Sequence, residues 1–153
     1  MESNTNIYEY YVKRKRASKA AEKAASYGAS LTNANAVAAL VRKIIGEDEP
    51  REHLIVLYLD TALNVVGYNH NAIGSDKEVY AYPREIYRAA LLAGAVSLII
   101  AHNHPSGLSE PSGADDDLTK NLKAAGALVG IPLLDHLVVT ESGYYSYAER
   151  GRL

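Results

Sequence analysis

Cysteine, phenylalanine and tryptophan are absent from the 153-residue chain, and methionine occurs once. Without cysteine there are no disulfides and no thiolate ligands, so any metal must be held by imidazole and carboxylate. Without phenylalanine and tryptophan, the aromatic part of the core falls to twelve tyrosines, whose hydroxyls need partners once buried. No run reaches the roughly 18 apolar residues that cross a bilayer. Residues 1–16 are charged where a secretory signal would be apolar. A soluble, cytoplasmic protein is the expectation. A strong excess of one charge is missing too: the formal net charge is -2 and the pI about 6.2, which argues against the broad basic face of phosphate-driven binding.

What is present, 48% hydrophobic and 22% charged residues, suits one globular domain. Residues 7–27 are rich in Ala, Lys and Glu and end before Gly28, which predicts an exposed basic helix in an N-terminal extension over residues 1–30. The run Lys13, Arg14, Lys15, Arg16 spans more than one helix face, as a solvated surface does; its alternative use is contact with DNA or an acidic partner. From residue 31 onward the pattern becomes that of a folded domain reaching residue 153.

A helix should start near Thr32 or Asn33, both capping residues, and run through ANAVAALVRKII to Gly46. HLIVLYL at residues 53–59, a turn over 60–64 and a strand over 65–68 read as a hairpin. Residues 74–77 read as a loop and 79–81 as a short strand. Pro83 suits the first position of a helix through REIYRAALLAG. VSLIIA at 96–101 is a short apolar run, expected for a strand buried on both faces, and it leads directly to His102. A helix over 113–129 and strands near 133–140 and 144–148 complete an α/β or mixed α+β sheet flanked by helices.

The chemistry concentrates in AHNHPSGLSEPSGADDD, residues 101–117. Histidines at i and i+2 of an extended chain face the same side, so His102 and His104 can reach one ion. Pro105 and Gly107 turn the chain out of the strand, and the helix starting after Ser112 returns the carboxylate of Asp115. Two imidazoles and a carboxylate leave a fourth tetrahedral position open for a water whose pKa the metal lowers, the arrangement of a catalytic zinc. Ser112 with Asp115 is also S-x-x-D, a helix-capping signal, and acids favour a first helical turn on their own account. Both uses of Ser112 are compatible.

This spacing, H-x-H, seven residues, Ser, two residues, Asp, resembles the JAMM motif of the JAB/MPN metalloproteases. LYLDT at 57–61, YPREIYRAAL at 82–91, AHNHPSG at 101–107, LLDHLVV at 133–139 and YSYAERG at 145–151 are similar to the RadC branch of that family. The resemblance implies a JAB/MPN domain of three-layer, cytidine-deaminase-like architecture over residues 31–153. It implies zinc on His102, His104 and Asp115, with Ser112 hydrogen-bonding the oxyanion formed when water attacks an amide. It further implies a glutamate outside the metal's ligand shell as general base. Glu52, just ahead of the strand ending in LYLDT, occupies the matching place; Glu47, Glu49, Glu78 and Glu85 are its rivals by composition. His136 belongs to the RadC-like pattern without being a JAMM ligand, and a supporting role behind the ligands is expected. His53 and His70 have no motif support, and Ser106 is expected to fix its turn rather than act as a nucleophile.

The chain departs from the RadC pattern at Gly113, where a basic residue is common, and at Tyr87 and Tyr147, where Phe is common. The resemblance thus favours a zinc-dependent hydrolase of peptide or isopeptide bonds with a peptide or protein substrate. The alternative is an accessory protein of DNA repair or of a mobile element that contacts DNA through the basic segment, with a structural or vestigial metal. Exposed strand edges would allow a homodimer.

Overall fold

The computed structural model describes residues 31–46, 49–72 and 82–153. The expected basic helix, the loop at 74–77 and the strand at 79–81 lie outside the described residues. Among those described, three helices and five strands alternate along the chain.

Asn33 opens the first helix by accepting a hydrogen bond from the Ala36 amide at 2.9 Å. This helix, α1, covers Ala34–Ile45 and closes on Gly46, whose φ of 94° suits glycine. Strands β1 (His53–Leu59) and β2 (Val65–Ala72) form the hairpin. Asp60 shapes the turn between them, accepting from the amides of Ala62 and Asn64. Helix α2 (Pro83–Ala93) starts on its proline and ends at left-handed Gly94. Strand β3 (Ser97–Asn103), helix α3 (Gly113–Val129), and strands β4 (Leu133–Val139) and β5 (Tyr144–Ser146) follow.

The sheet order is β2-β1-β3-β4-β5, antiparallel except for the β3–β4 pair, which is parallel and joined through α3. Alternation divides the strands between two faces. Ile55, Leu57, Leu59, Ile99, Ala101, Leu137 and Val139 pack against Val37, Ala38 and Val41 of α1. On the other face Leu54, Val56, Tyr58, Leu98 and Ile100 meet Ile86, Tyr87 and Ala90 of α2 and Leu122 of α3. Because helices cover both faces, every residue of β1 is buried, which explains its unbroken apolar run. The result is the three-layer mixed α/β fold anticipated above. No described helix is long and apolar enough to cross a membrane.

Several boundaries differ from expectation. β2 continues to Ala72, paired with His53, four residues past the expected end. β3 runs through His102 to Asn103 because β1 still supplies a partner at His102 and β4 supplies one at both residues. β5 stops at Ser146, where the buried Asp135 accepts from the Ser146 hydroxyl at 2.6 Å and the Ala148 amide at 3.0 Å, turning the chain.

Candidate metal centre

His102 lies on the final stretch of β3, on the face covered by α2 and α3, and only 1% of its surface is exposed. His104 follows just past the strand end. Its amide donates to the Val139 carbonyl at 2.9 Å, which holds His104 against β4 before the turn begins at Pro105. The i, i+2 relation therefore holds in space: Nε2 of His102 and Nε2 of His104 are 3.0 Å apart. Nδ1 of His104 faces the Leu108 carbonyl at 2.8 Å, which fixes the outward ring edge and turns Nε2 inward.

Asp115 comes from the first turn of α3. The capping box that starts the helix also aims the carboxylate: the Ser112 amide and hydroxyl each donate to Oδ2 at 2.7 Å, while the Asp115 amide donates back to the hydroxyl. Oδ1 is 3.2 Å from Nε2 of His102, and Oδ2 is 3.8 Å from Nε2 of His104. The two hydrogen bonds that Ser112 donates to Oδ2 favour the ionised form of the Asp115 carboxylate. It is an ionised acceptor.

His136 stands behind this group on β4, fully buried and in register with Ile100. Its Nε2 is 2.9 Å from Nδ1 of His102 and its Nδ1 is 2.6 Å from the Thr119 hydroxyl. The Tyr147 ring stacks on it at 5.0 Å and 4°. Burial, reinforced by the neighbouring His102, lowers its pKa far below the ordinary imidazole value. His102, Asp115 and His136 form a buried group able to hold a metal ion, with ligating atoms within 4.8 Å of one another. Two triads thus share His102 and Asp115, one completed by His104 and one by His136.

A family model described as the RadC-like JAB domain matches residues 31–152. The chain belongs to the RadC-like JAB domain family. Among its relatives, UPF0758 proteins of Thermotoga maritima and Chlorobium chlorochromatii are each 43% identical, over 67% and 69% of this chain and 46% and 48% of their own lengths. A UPF0758 protein of Methylibium petroleiphilum is 46% identical over 69% of this chain and 47% of its own. The chain spans about half the length of these curated relatives.

Within this RadC-like domain, Glu52 precedes β1 by one residue. The pairing of Leu54 with His102, continued by two residues, sets Glu52 at the register position of His104 and on the same sheet face as His102. The segment is pinned there: Asn103 accepts from the His53 amide at 2.7 Å and donates to the Arg51 carbonyl at 2.9 Å. Glu52 is half-buried, and among the described residues its carboxylate has no hydrogen-bond or ion-pair partner.

The rivals are placed differently. Glu49 is 2.9 Å from Arg51 and 3.2 Å from Nε2 of His53; the Arg51 hydrogen bond, then that of His53, pulls its pKa down to about 2. Glu85 pairs with Arg84 and Arg88 on the outside of α2, and Glu47 and Glu78 fall outside the described residues. His53 and His70 contact each other, nitrogen to nitrogen at 2.7 Å, on the α1 face, away from His102. Among the described residues, Ser106 takes part only in its own turn, accepting from the Leu108 amide. Thr119 was not foreseen. The sequence shows only a small polar residue one helical turn after Asp115, whose hydroxyl donates to the Asp115 backbone carbonyl at 2.6 Å.

The outer side of His104 borders a cleft of about 770 Å³ lined in part by Arg42, Lys43, Glu49, Asn103 and Glu141.

Proposed function

We propose that the chain is a zinc-dependent hydrolase of the JAMM type, with the metal held by His102, His104 and Asp115, and that it cleaves a peptide or isopeptide bond. The observation that carries this reading is the convergence of two imidazole nitrogens and one carboxylate. Nε2 of His102, Nε2 of His104 and the Asp115 carboxylate lie 3.0 to 3.8 Å from one another. Zinc–nitrogen and zinc–oxygen bonds of about 2.0–2.2 Å in a tetrahedron put ligand atoms about 3.3 Å apart, so this spacing fits. Lone pairs aimed at one point repel unless a cation lies among them, and an all-nitrogen-and-oxygen set suits zinc.

The triad containing His136 uses the same two neighbours but is enclosed, whereas His104 is partly exposed past the end of β3, and hydrolysis needs an open position. Zinc bound there would lower the pKa of water and polarise the scissile carbonyl.

The residues supply the rest. Glu52, facing His104 from the neighbouring strand and lacking a partner among the described residues, is suited to take a proton from the attacking water and pass it to the leaving amine. Ser112 in the present geometry directs its proton at Asp115, holding that carboxylate. To serve as an oxyanion donor, its hydroxyl would rotate away from Oδ2 towards the substrate.

Elemental analysis of the purified protein, paired with a peptide-library cleavage screen with and without chelator, tests the reading. Wild type is expected to carry about one zinc per chain. Glu52→Ala should retain that zinc and lose hydrolysis by about 10²–10⁴-fold. A metal-free wild type, or a Glu52→Ala variant that cleaves at the wild-type rate, would overturn it.

A further inference from the structure

Behind the candidate ligands runs a set of hydrogen bonds whose direction follows from one atom without a choice. The backbone carbonyl of Asp115 can only accept, and the Thr119 hydroxyl is 2.6 Å from it. Threonine has a single hydroxyl proton, which is therefore committed to Asp115. Toward Nδ1 of His136, also 2.6 Å away, the same hydroxyl must accept. Nδ1 of His136 consequently carries hydrogen. The ring is fully buried and meets no carboxylate at either nitrogen, so it is neutral, and its bare Nε2 accepts from Nδ1 of His102 at 2.9 Å. His102 is then the Nδ1–H tautomer, with a lone pair on the Nε2 that faces His104 and Asp115.

We propose that Thr119 and His136 are positioning residues that hold His102 in its metal-competent tautomer and tie its ring to the backbone of Asp115. One chain of three hydrogen bonds thereby sets two candidate ligands that come from different elements, β3 and α3. The His136 ring is itself kept from flipping. Tyr147 stacks on it, and the Tyr147 hydroxyl donates to Asp116 at 2.7 Å, where Arg152 also pairs at 2.8 Å. A flip of the ring would put carbon where both partners require nitrogen. Outer partners of this kind raise the basicity of the ligand and fix its orientation. The inference rests on the zinc reading given above.

The test uses the full chain titrated with zinc against a chromophoric chelator, together with long-range proton–nitrogen NMR of histidine-labelled protein. In zinc-loaded wild type, His102 should coordinate through Nε2 with hydrogen on Nδ1, and His136 should carry hydrogen on Nδ1. His136→Leu should weaken zinc binding by about 10–100-fold while leaving the circular dichroism unchanged. His136→Gln, whose amide oxygen can accept from His102, should recover most of that loss. Thr119→Val should also weaken binding and Thr119→Ser restore it, and this pair carries the test if His136→Leu does not fold.

His136 found as the Nε2–H tautomer, or His102 coordinating through Nδ1, would overturn the proposal. So would folded His136→Leu and Thr119→Val that bind zinc as tightly as wild type, and in that case the zinc reading stands. A wild type that takes up no zinc would overturn both.

Discussion

Ser112 combines two roles that measurement can separate. Its hydroxyl caps α3 by accepting from the Asp115 amide and steadies the Asp115 carboxylate by donating to it. Ser112→Ala removes both, at a cost of about 1 kcal/mol of stability for the lost cap. Ser112→Gly costs the cap only about 0.3 kcal/mol but loses the carboxylate bond just as fully. The expectation is weaker zinc binding in both variants, with a clear drop in chemical-denaturation midpoint in the alanine variant alone. Zinc affinity that merely follows stability would argue against a role for the hydroxyl in holding Asp115.

The same residue shows why part of the site could be read in advance. His102, His104, Ser112 and Asp115 lie within one strand end, one turn and one capping box, where local geometry fixes relative position. His136 and Thr119 come together only through the parallel pairing of β3 with β4. A histidine in the apolar run LLDHLVV announces that a partner must exist, because buried polar groups are rarely left unpaired. It does not say which.

Helices α2 and α3 meet at Gly126. A Cβ built there would come within 2.5 Å of the Tyr87 hydroxyl oxygen and 2.6 Å of the Ile131 carbonyl. Tyr87 cannot simply move away, since its hydroxyl donates to the Leu122 carbonyl at 2.8 Å. Gly126→Ala is therefore expected to destabilise the fold by about 1–3 kcal/mol, in spite of the better helix propensity of alanine. A melting temperature equal to or above that of wild type would refute this packing account. Nothing in the sequence marks this contact, because a lone glycine in a helical pattern gives no hint of what lies across from it.

Helix starts were legible where capping chemistry is written locally, at Asn33, Pro83 and Ser112. Strand ends were less so, because they depend on how long a neighbour keeps pairing, as for β2 and β3. Glu52 and Glu49 illustrate the same limit. They are three residues apart, yet Glu52 takes the register position of His104, while Glu49 pairs with Arg51 and approaches His53 on the α1 face.

The reliance on tyrosine gives the whole fold a sensitivity to alkali. Burial pushes the Tyr87 phenol up to about 12, and burial also raises Tyr58 and Tyr147 above the ordinary value. A folded-state pKa above the unfolded one means the contribution is complete below about pH 10 and declines as pH rises toward 12. Urea midpoints measured from pH 8 to pH 12, with tyrosinate absorbance recorded alongside, should fall over the upper half of that range. Tyr87→Phe should flatten the decline, and a flat wild-type profile would contradict it. The Tyr58 hydroxyl, buried without a hydrogen-bond partner among the described residues, gives a contrast: Tyr58→Phe should leave stability at pH 7 equal or higher.

Every candidate ligand, and both residues behind them, lie between His102 and His136 in the single β3–α3–β4 crossover, while Glu52 arrives from β1. In terms of descent, a recombination that carries this crossover as one piece transmits the proposed metal ligands together and leaves the proposed proton acceptor behind. On the proposed reading, metal binding and hydrolysis are separately inherited in such a domain, and a relative that keeps the histidines needs its own test for chemistry.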